Sequence, residues 1–365
     1  MKIQAKRIWM VSDTHIGCRS NAVEWMEIIE DYFFNFFIPL VKKEYKEGDI
    51  LYHLGDVFDN RQSVNLLAQH LAIRIFEELS NIFPETHIIV GNHDIYRNNS
   101  NDVTSLDSLK YIPRVTVHKE PIIHEYPSGR KALLMPWRRD SEHERETLSD
   151  YGSHDFLFCH SEVKGLRLGP NPKIVHEGGN EAEIYTGFKS VYSGHIHYRQ
   201  QTKNVFMVGN PYQMTRSDRG NQKGIYLLDL QTGDHTFFEN EYSPKFLKFD
   251  IRLLFDTTID EFISLIKNNF VDLYIPSHIV AKYNISKLMN LLEGYARKLE
   301  PNIYDDEIIF NDDEEIDEDI ELSYKNMNVL NLSKRYLDAV GFDQATSDKM
   351  YKKIEQLYAT INDKA

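Results

Sequence analysis

Five times in its first two hundred residues this chain runs a short apolar segment straight into a cluster of oxygen and nitrogen donors. Ile8-Trp9-Met10-Val11-Ser12 leads into Asp13-Thr14-His15, and Ile50-Leu51-Tyr52-His53-Leu54 into Gly55-Asp56-Val57-Phe58-Asp59. His87-Ile88-Ile89-Val90 leads into Gly91-Asn92-His93-Asp94, and Phe156-Leu157-Phe158 into Cys159-His160-Ser161. Ser190-Val191-Tyr192 leads by way of Ser193 into Gly194-His195-Ile196-His197. Apolar runs of this length read as buried strands. Open α/β sheets place their ligands beyond the carboxyl ends of such strands. Clusters scattered from residue 13 to residue 197 are therefore expected to meet at one rim of the fold.

The residue types say what meets there. In Asp13-Thr14-His15 and His195-Ile196-His197 the alternate side chains of an extended segment share a face, so both can reach one cation. A lone carboxylate such as Asp56 can bridge two cations. A pair of divalent ions roughly 3.5 Å apart needs about seven protein donors. Asp13, His15, Asp56, Asn92, His160, His195 and His197 make such a set, and its mix of imidazole, carboxylate and amide suits manganese, iron or zinc better than magnesium or calcium. Manganese is the expected pair. Gly55, Gly91 and Gly194 precede donors, where backbone must turn sharply or pass close by. Each motif alone is weak, and their joint occurrence in order carries the reading. His53, His70, His87, His118, His124, His143, His154, His176 and His235 lack that context and read as core or surface histidines.

The early order of elements is strand, helix, strand, helix, strand, which predicts a parallel sheet covered on both faces. The first helix shows in Trp25, Ile28, Ile29, Tyr32, Phe33, Phe36, Phe37 and Leu40, with Pro39 expected to kink or end it. The second spans Leu66 to Leu79. From about 115, short strands crowd together: Val115–Val117, Pro121–Ile123, Ala132–Met135, Phe156–Phe158, Ser190–Tyr192, Val205–Val208 and Ile225–Leu228. They are expected to form a second sheet stacked on the first, a sandwich with helices outside. The expected domains are 1–244 for the donor-bearing body, 245–310 for a smaller α/β unit, 311–325 for an acidic linker and 326–365 for a helical pair. In the small unit the expectation is strand 245–252, helix 260–269, strand 271–275 and helix 285–299.

Charge and cysteine content bound the setting. The formal charge is −14, yet Asp305 to Glu321 holds eleven acids and no base, leaving −3 on the rest. Net charge thus neither favours nor excludes a polyanionic partner. Cys18 and Cys159 are too few for a disulfide framework and read as small buried hydrophobes. No window approaches the about 20 apolar residues that cross a bilayer, and the start lacks a leader's apolar core. No membrane association and a cytoplasmic location are expected.

At these motifs the sequence resembles the calcineurin-like metallophosphoesterase superfamily, from Asp13 to His197. Gly55-Asp56-Val57-Phe58-Asp59 and Gly91-Asn92-His93-Asp94 look like its DNA-repair nuclease branch, the SbcD or Mre-eleven nucleases. Protein serine/threonine phosphatases typically show Asp-Arg-Gly after the second motif and Glu after Gly-Asn-His, where this chain has Asp59-Asn60-Arg61 and Asp94. Length, the acidic linker and Gly209-Asn210-Pro211 look most like the bacteriophage recombination nuclease subunits of the branch, which would make the cytoplasm that of a host cell. The resemblance implies a metallophosphoesterase sandwich, two stacked mixed β-sheets flanked by helices, with a small capping domain and a C-terminal helical pair. It implies Asp13, His15, Asp56 and His197 for one metal ion and Asp56, Asn92, His160 and His195 for the other. It also implies His93 as the acid at the leaving oxygen, with Asp94 orienting it. Some relatives carry a histidine three residues after the bridging aspartate; here Asp59 stands there.

The expected reaction is hydrolysis of DNA, as exonuclease and endonuclease, in recombination, repair and replication. Backbone contacts are expected from Arg19, Arg61, Arg97, Lys164 and Arg199, with Arg138, Arg139 and Arg167 as further candidates. With no Gly-x-x-x-x-Gly-Lys-Ser/Thr loop, the chain is not its own P-loop ATPase. The resemblance implies an SMC-like ATPase partner of the Rad-fifty or SbcC type, docked on the C-terminal helices, and a homodimer through the early helices. Two other readings compete. A phosphatase or small-molecule phosphodiesterase would act on monoesters or cyclic nucleotides, and a non-catalytic DNA-tethering scaffold would have no need of seven donors.

Overall fold

In the computed structural model, residues 1–97, 100–304 and 349–353 are described. The chain divides into two compact units, Met1–Phe246 and Leu247–Ala365.

Two six-stranded mixed sheets stack in the first unit. One runs His235–Glu239, Gly224–Asp229, Arg7–Val11, Asp49–His53, Thr86–Ile89, Val115–His118. The other runs Gln200–Thr202, Val205–Met207, Ser190–Gly194, Phe156–His160, Lys131–Met135, Ile122–Glu125. Strand alternation explains the stacking. Ile8, Met10, Ile50, Tyr52, Tyr226 and Leu228 on one sheet meet Ala132, Leu134, Phe156, Phe158 and Tyr192 on the other in a single buried layer. Each large side chain there contributes about 1.5–3 kcal/mol by leaving water. The far face of the second sheet buries Leu133, Leu157, Val191 and Met207 under Ala182 and Tyr185.

Val115–His118 and Gly224–Asp229 belong to the first sheet, not the second as the sequence suggested. Val115–His118 pairs in parallel with Thr86–Ile89, and Gly224–Asp229 pairs antiparallel with Arg7–Val11. Each covers an edge of backbone donors and acceptors that the three parallel strands leave open.

Pro39 does not end the first long helix. Val23–Asp31 continues through a π-helical stretch, Tyr32–Phe37, into Ile38–Glu44. Ile38 N–H bonds to Phe33 O, five residues back, so the wider turn admits the proline in the first turn of the following segment. The next helix, Leu66–Ile82, starts where the Asn65 side chain accepts from Leu67 N at 2.8 Å.

The second unit has a three-stranded sheet ordered Phe246–Asp250, Phe270–Pro276, Lys298–Tyr304. The helix expected over 285–299 stops at Glu293, where Gly294 follows. The chain then enters Lys298–Tyr304, a strand parallel to Phe270–Pro276 that the sequence reading missed. The expected linker 311–325 and helical pair fall outside the described residues, apart from a short helical stretch at 349–353. No helix among the described residues is long and apolar enough to cross a membrane.

Candidate metal centre

The five donor clusters sit just past the ends of Arg7–Val11, Asp49–His53 and Thr86–Ile89 in the first sheet and at the ends of Phe156–His160 and Ser190–Gly194 in the second. The first two loops run side by side beyond their strands: Asp13 N bonds to Gly55 O at 3.0 Å and His15 N to Asp56 O at 3.1 Å. Asp13, His15, Asp56 and His195 all hold left-handed backbone, with φ of 53°, 41°, 55° and 85°. Non-glycine residues occupy that region only at a cost, and such strain collects at functional sites.

The donors form two groups. In the first, His15 Nε2 lies 3.0 Å from His197 Nε2 and 3.7 Å from Asp56 Oδ2. Asp13 Oδ1 lies 4.0 Å from His197 Nε2 and accepts from His195 N at 3.0 Å. In the second, His160 Nδ1–H donates to Leu54 O at 2.7 Å, which turns Nε2 inward, 3.2 Å from Asp56 Oδ2. The Asn92 amide lies 2.9 Å from His160 Nε2 and 2.8 Å from His195 Nδ1. Asp56 Oδ2 is thus common to both groups. The Asn92 oxygen, Oδ1, is the atom that faces both rings, and only half a turn of the amide would bring it to Arg61 Nη2 instead, at 2.9 Å.

Charge couples these groups. Burial works to raise the Asp56 carboxyl, but His160, His15 and His93 hold it well below the usual carboxylate range. Burial works to lower His160, and Asp56 overcomes it, raising the imidazole to about 9. His15 is raised against its burial by Asp59, Asp56 and Asp13. His195 is held well below its ordinary value by burial and by repulsion from His160. His197 is pulled down to about 4 by burial and by His15.

Comparison with known proteins decides the lineage. The calcineurin-like phosphoesterase family matches residues 6–199. The chain belongs to this family. It is 28% identical over 237 residues to exonuclease subunit 1 of Enterobacteria phage T4, covering 64% of this chain and 68% of that one. The relative falls in the branch that the motifs resemble. Two solved structures also match: an archaeal phosphodiesterase at 16% identity, covering 64% of this chain and 99% of its own, with a TM-score of 0.35; and the phosphopantetheinyl hydrolase of Mycobacterium tuberculosis at 15%, covering 56% and 89%, with a TM-score of 0.33. At that likeness neither adds to the argument.

A calcineurin-like phosphoesterase hydrolyses phosphoesters with divalent metals, and the residues present suit them. Imidazole nitrogens face each other at 3.0 Å in the first group, and an imidazole faces a shared carboxylate at 3.2 Å in the second. Without a metal the His160 proton bridges that second contact, and a divalent cation would take the proton's place.

Around these donors the phosphoesterase departs from the sequence reading in one respect. Asp94 does not orient the His93 ring. Its fully buried carboxylate accepts from Asp56 N at 2.8 Å, Gly91 N at 3.0 Å, Val57 N at 3.1 Å and Phe58 N at 3.3 Å. Asp94 therefore shapes the loop that carries Asp56. The His93 ring is held instead by Asp59 O, which accepts from Nδ1 at 2.7 Å, and His93 N donates to Asp56 Oδ1 at 2.7 Å. Asp59 Oδ1 lies 3.2 Å from His15 Nδ1 and orients that imidazole.

Several neighbours had no sequence signal. Trp137 stacks on His195 with centroids 5.1 Å apart. Glu162 Oε1 lies 3.7 Å from His195 Nε2, and its Oε2 lies 3.8 Å from His176 Nε2. Lys223 and Asp218 form a buried ion pair at 2.6 Å, and Lys223 also donates to His197 O at 2.6 Å. None belongs to a motif.

The basic residues are not equivalent. Arg61 Nη2 lies 2.9 Å from the outward atom of the Asn92 amide, at the rim of the site. Arg199 bonds to Gln222 and Tyr226 and lies over Phe237 at 4.1 Å, so it staples the fold rather than presenting a free cation. Arg138 is buried and donates to Pro136 O and Lys119 O. Arg19 donates to Met214 O, Lys164 pairs with Glu181 at 3.0 Å, Arg139 pairs with Asp140, and Arg167 bonds to Pro170 O. Arg97 is exposed beside Tyr96.

Proposed function

We propose that this chain is a two-metal DNA nuclease, hydrolysing phosphodiesters from ends and internally in recombination, repair and replication. The convergence of seven donors in two groups around one shared carboxylate, Asp56, carries the reading. The likeness to a phage exonuclease subunit supports DNA as substrate. Asp13, His15, Asp56 and His197 would hold one ion and Asp56, Asn92, His160 and His195 the other. Bound there, manganese ions supply Lewis-acid charge and lower the pKa of a water toward neutral.

The remaining work falls to protein groups. The left-handed turns at Asp13, Asp56 and His195 fix the donors before substrate arrives. A ring nitrogen of His93 lies within 4.8 Å of donor atoms of His15 and Asp56. With Nδ1–H committed to Asp59 O, His93 can give a proton to a leaving oxygen only from Nε2 of the imidazolium. Arg61, beside Asn92 at the rim of the site, is placed to meet a phosphate. The same reading includes an SMC-like ATPase partner bound by the C-terminal segment, and a homodimer through the early helices, where Phe34 and Phe36 are only half-buried.

End-labelled linear DNA and a phosphomonoester, each offered with manganese to wild type and His93→Ala, test the proposal. Wild type should degrade the DNA, and His93→Ala should lose about 10²–10⁴-fold with metal content unchanged. Turnover of the monoester alone would instead favour the phosphatase reading.

A further inference from the structure

Three histidines without motif context meet at one edge of the sandwich. His87 and His118 belong to the first sheet, in Thr86–Ile89 and Val115–His118. His124 belongs to the second, in Ile122–Glu125, three residues after the chain starts that sheet's side of the crossing at Pro121. Their exposures are 1%, 7% and 0%. One ring nitrogen from each lies within 4.8 Å of the other two.

The hydrogen bonds around them fix which nitrogens are available. His87 Nε2–H donates to the Glu85 carboxylate at 3.1 Å, which leaves a lone pair on Nδ1. That Nδ1 faces His118 Nε2 at 2.9 Å. His124 Nδ1 lies 2.6 Å from Tyr52 OH, which lies 2.8 Å from Tyr126 OH. His124 Nε2 is buried with no hydrogen-bond partner among the described residues. Leaving such an atom unpaired forfeits its solvation without replacement.

We infer that His87, His118 and His124 form a second, separate metal site that takes one zinc ion and clasps the two sheets together. A cation resolves the unpaired atom: His124 Nε2 gives its lone pair, Nδ1–H donates to Tyr52 OH, and Tyr52 donates to Tyr126. Glu85 behind His87 is the carboxylate that commonly orients a ligating imidazole. Three imidazoles select zinc over the harder cations and leave a fourth position for water. Tetrahedral zinc sets ligating nitrogens about 3.3 Å apart, so the His87–His118 pair needs to open slightly from 2.9 Å and His124 to approach from within 4.8 Å.

The test is zinc per chain, measured by atomic emission on full-length protein loaded with zinc and desalted. His15→Ala/Asp56→Asn/His160→Ala serves as background because it removes donors from both groups of the nuclease site. This background should keep one zinc per chain, and zinc added after chelation should raise its melting temperature. Adding His124→Asn, or separately His118→Asn at the better exposed position, should abolish both the bound zinc and the shift. A background that binds no zinc, or folded His118→Asn and His124→Asn proteins that keep it, overturns the inference. Equal zinc in wild type and background would count against the nuclease centre while leaving this site standing.

Discussion

Asp94 and His93 are neighbours whose side chains serve different masters. Asp94 accepts four backbone N–H groups and fixes the loop under Asp56, while His93 faces the donors. Asp94→Ala strands those buried donors and should cost about 3 kcal/mol or more. It should also weaken manganese binding, a joint loss visible by calorimetry and metal analysis; full metal content in a destabilised variant would show that the loop keeps its shape without the carboxylate. Titration gives a second prediction. Protonated His160, raised to about 9, stabilises the chelated protein fully below its unfolded value of about 6.5, and this is lost as pH rises through 9. Asp94, raised to about 7 by burial and by Asp56, acts with the same sign, losing stability as pH rises from about 4 through 7. The chelated protein should therefore melt at lower temperature at pH 9 than at pH 6. Manganese affinity should rise up to about tenfold per pH unit over that range, because His160 must shed its proton to ligate. A flat affinity would mean that His160 binds no metal. The convergence of these seven side chains was legible in sequence because each stands at a strand end within a polar cluster. Glu162, His176 and Trp137 were not, since isolated residues acquire meaning only when chain segments fold beside them.

At the scale of elements, strand ends were easier to read than strand partners. Val115–His118 and Gly224–Asp229 are short and apolar like the second sheet's strands, and nothing in such a run says which open edge it will cover. The π-helical passage before Pro39 was equally silent, because a widened turn preserves the apolar stripe that announces a helix. Glycines before donors were legible for a physical reason that the packing makes concrete. A Cβ on Gly91 would lie 2.3 Å from both Asp56 N and Asp56 Oδ1, so the third loop can pass the bridging carboxylate only without a side chain. Gly91→Ala should displace Asp56, lose manganese binding and destabilise by roughly 1–3 kcal/mol. Gly294→Ala, whose Cβ meets nothing within 4 Å, is the matched control and should leave metal content unchanged. Wild-type manganese binding by Gly91→Ala would show that the two loops part without consequence and that their close approach is not what sets the site.

Over the whole molecule, the formal charge of −14, eleven of it in the acidic run 305–321, supplies no overall attraction to a polyanion, so binding of the proposed DNA substrate would rest on a few local cations and the metal ions. The candidate bases divide by where they stand. Arg138 and Arg199 are committed to the fold, whereas Arg61 stands at the metal centre and Arg97 is exposed. If DNA is the substrate, binding measured with calcium in place of manganese should weaken linearly with log salt, at about 0.9 per phosphate contact. Arg61→Ala should reduce that slope by about one unit while leaving the melting temperature nearly unchanged. Arg199→Ala should do the reverse, lowering the melting temperature through loss of its bonds to Gln222 and Tyr226 and leaving the slope alone. Fluorescence anisotropy across salt concentrations separates the two effects because one variant changes a gradient and the other a fold. An affinity indifferent to salt in the wild type would mean that no phosphate backbone is being neutralised, and the same metals would then belong to a small-molecule phosphodiesterase.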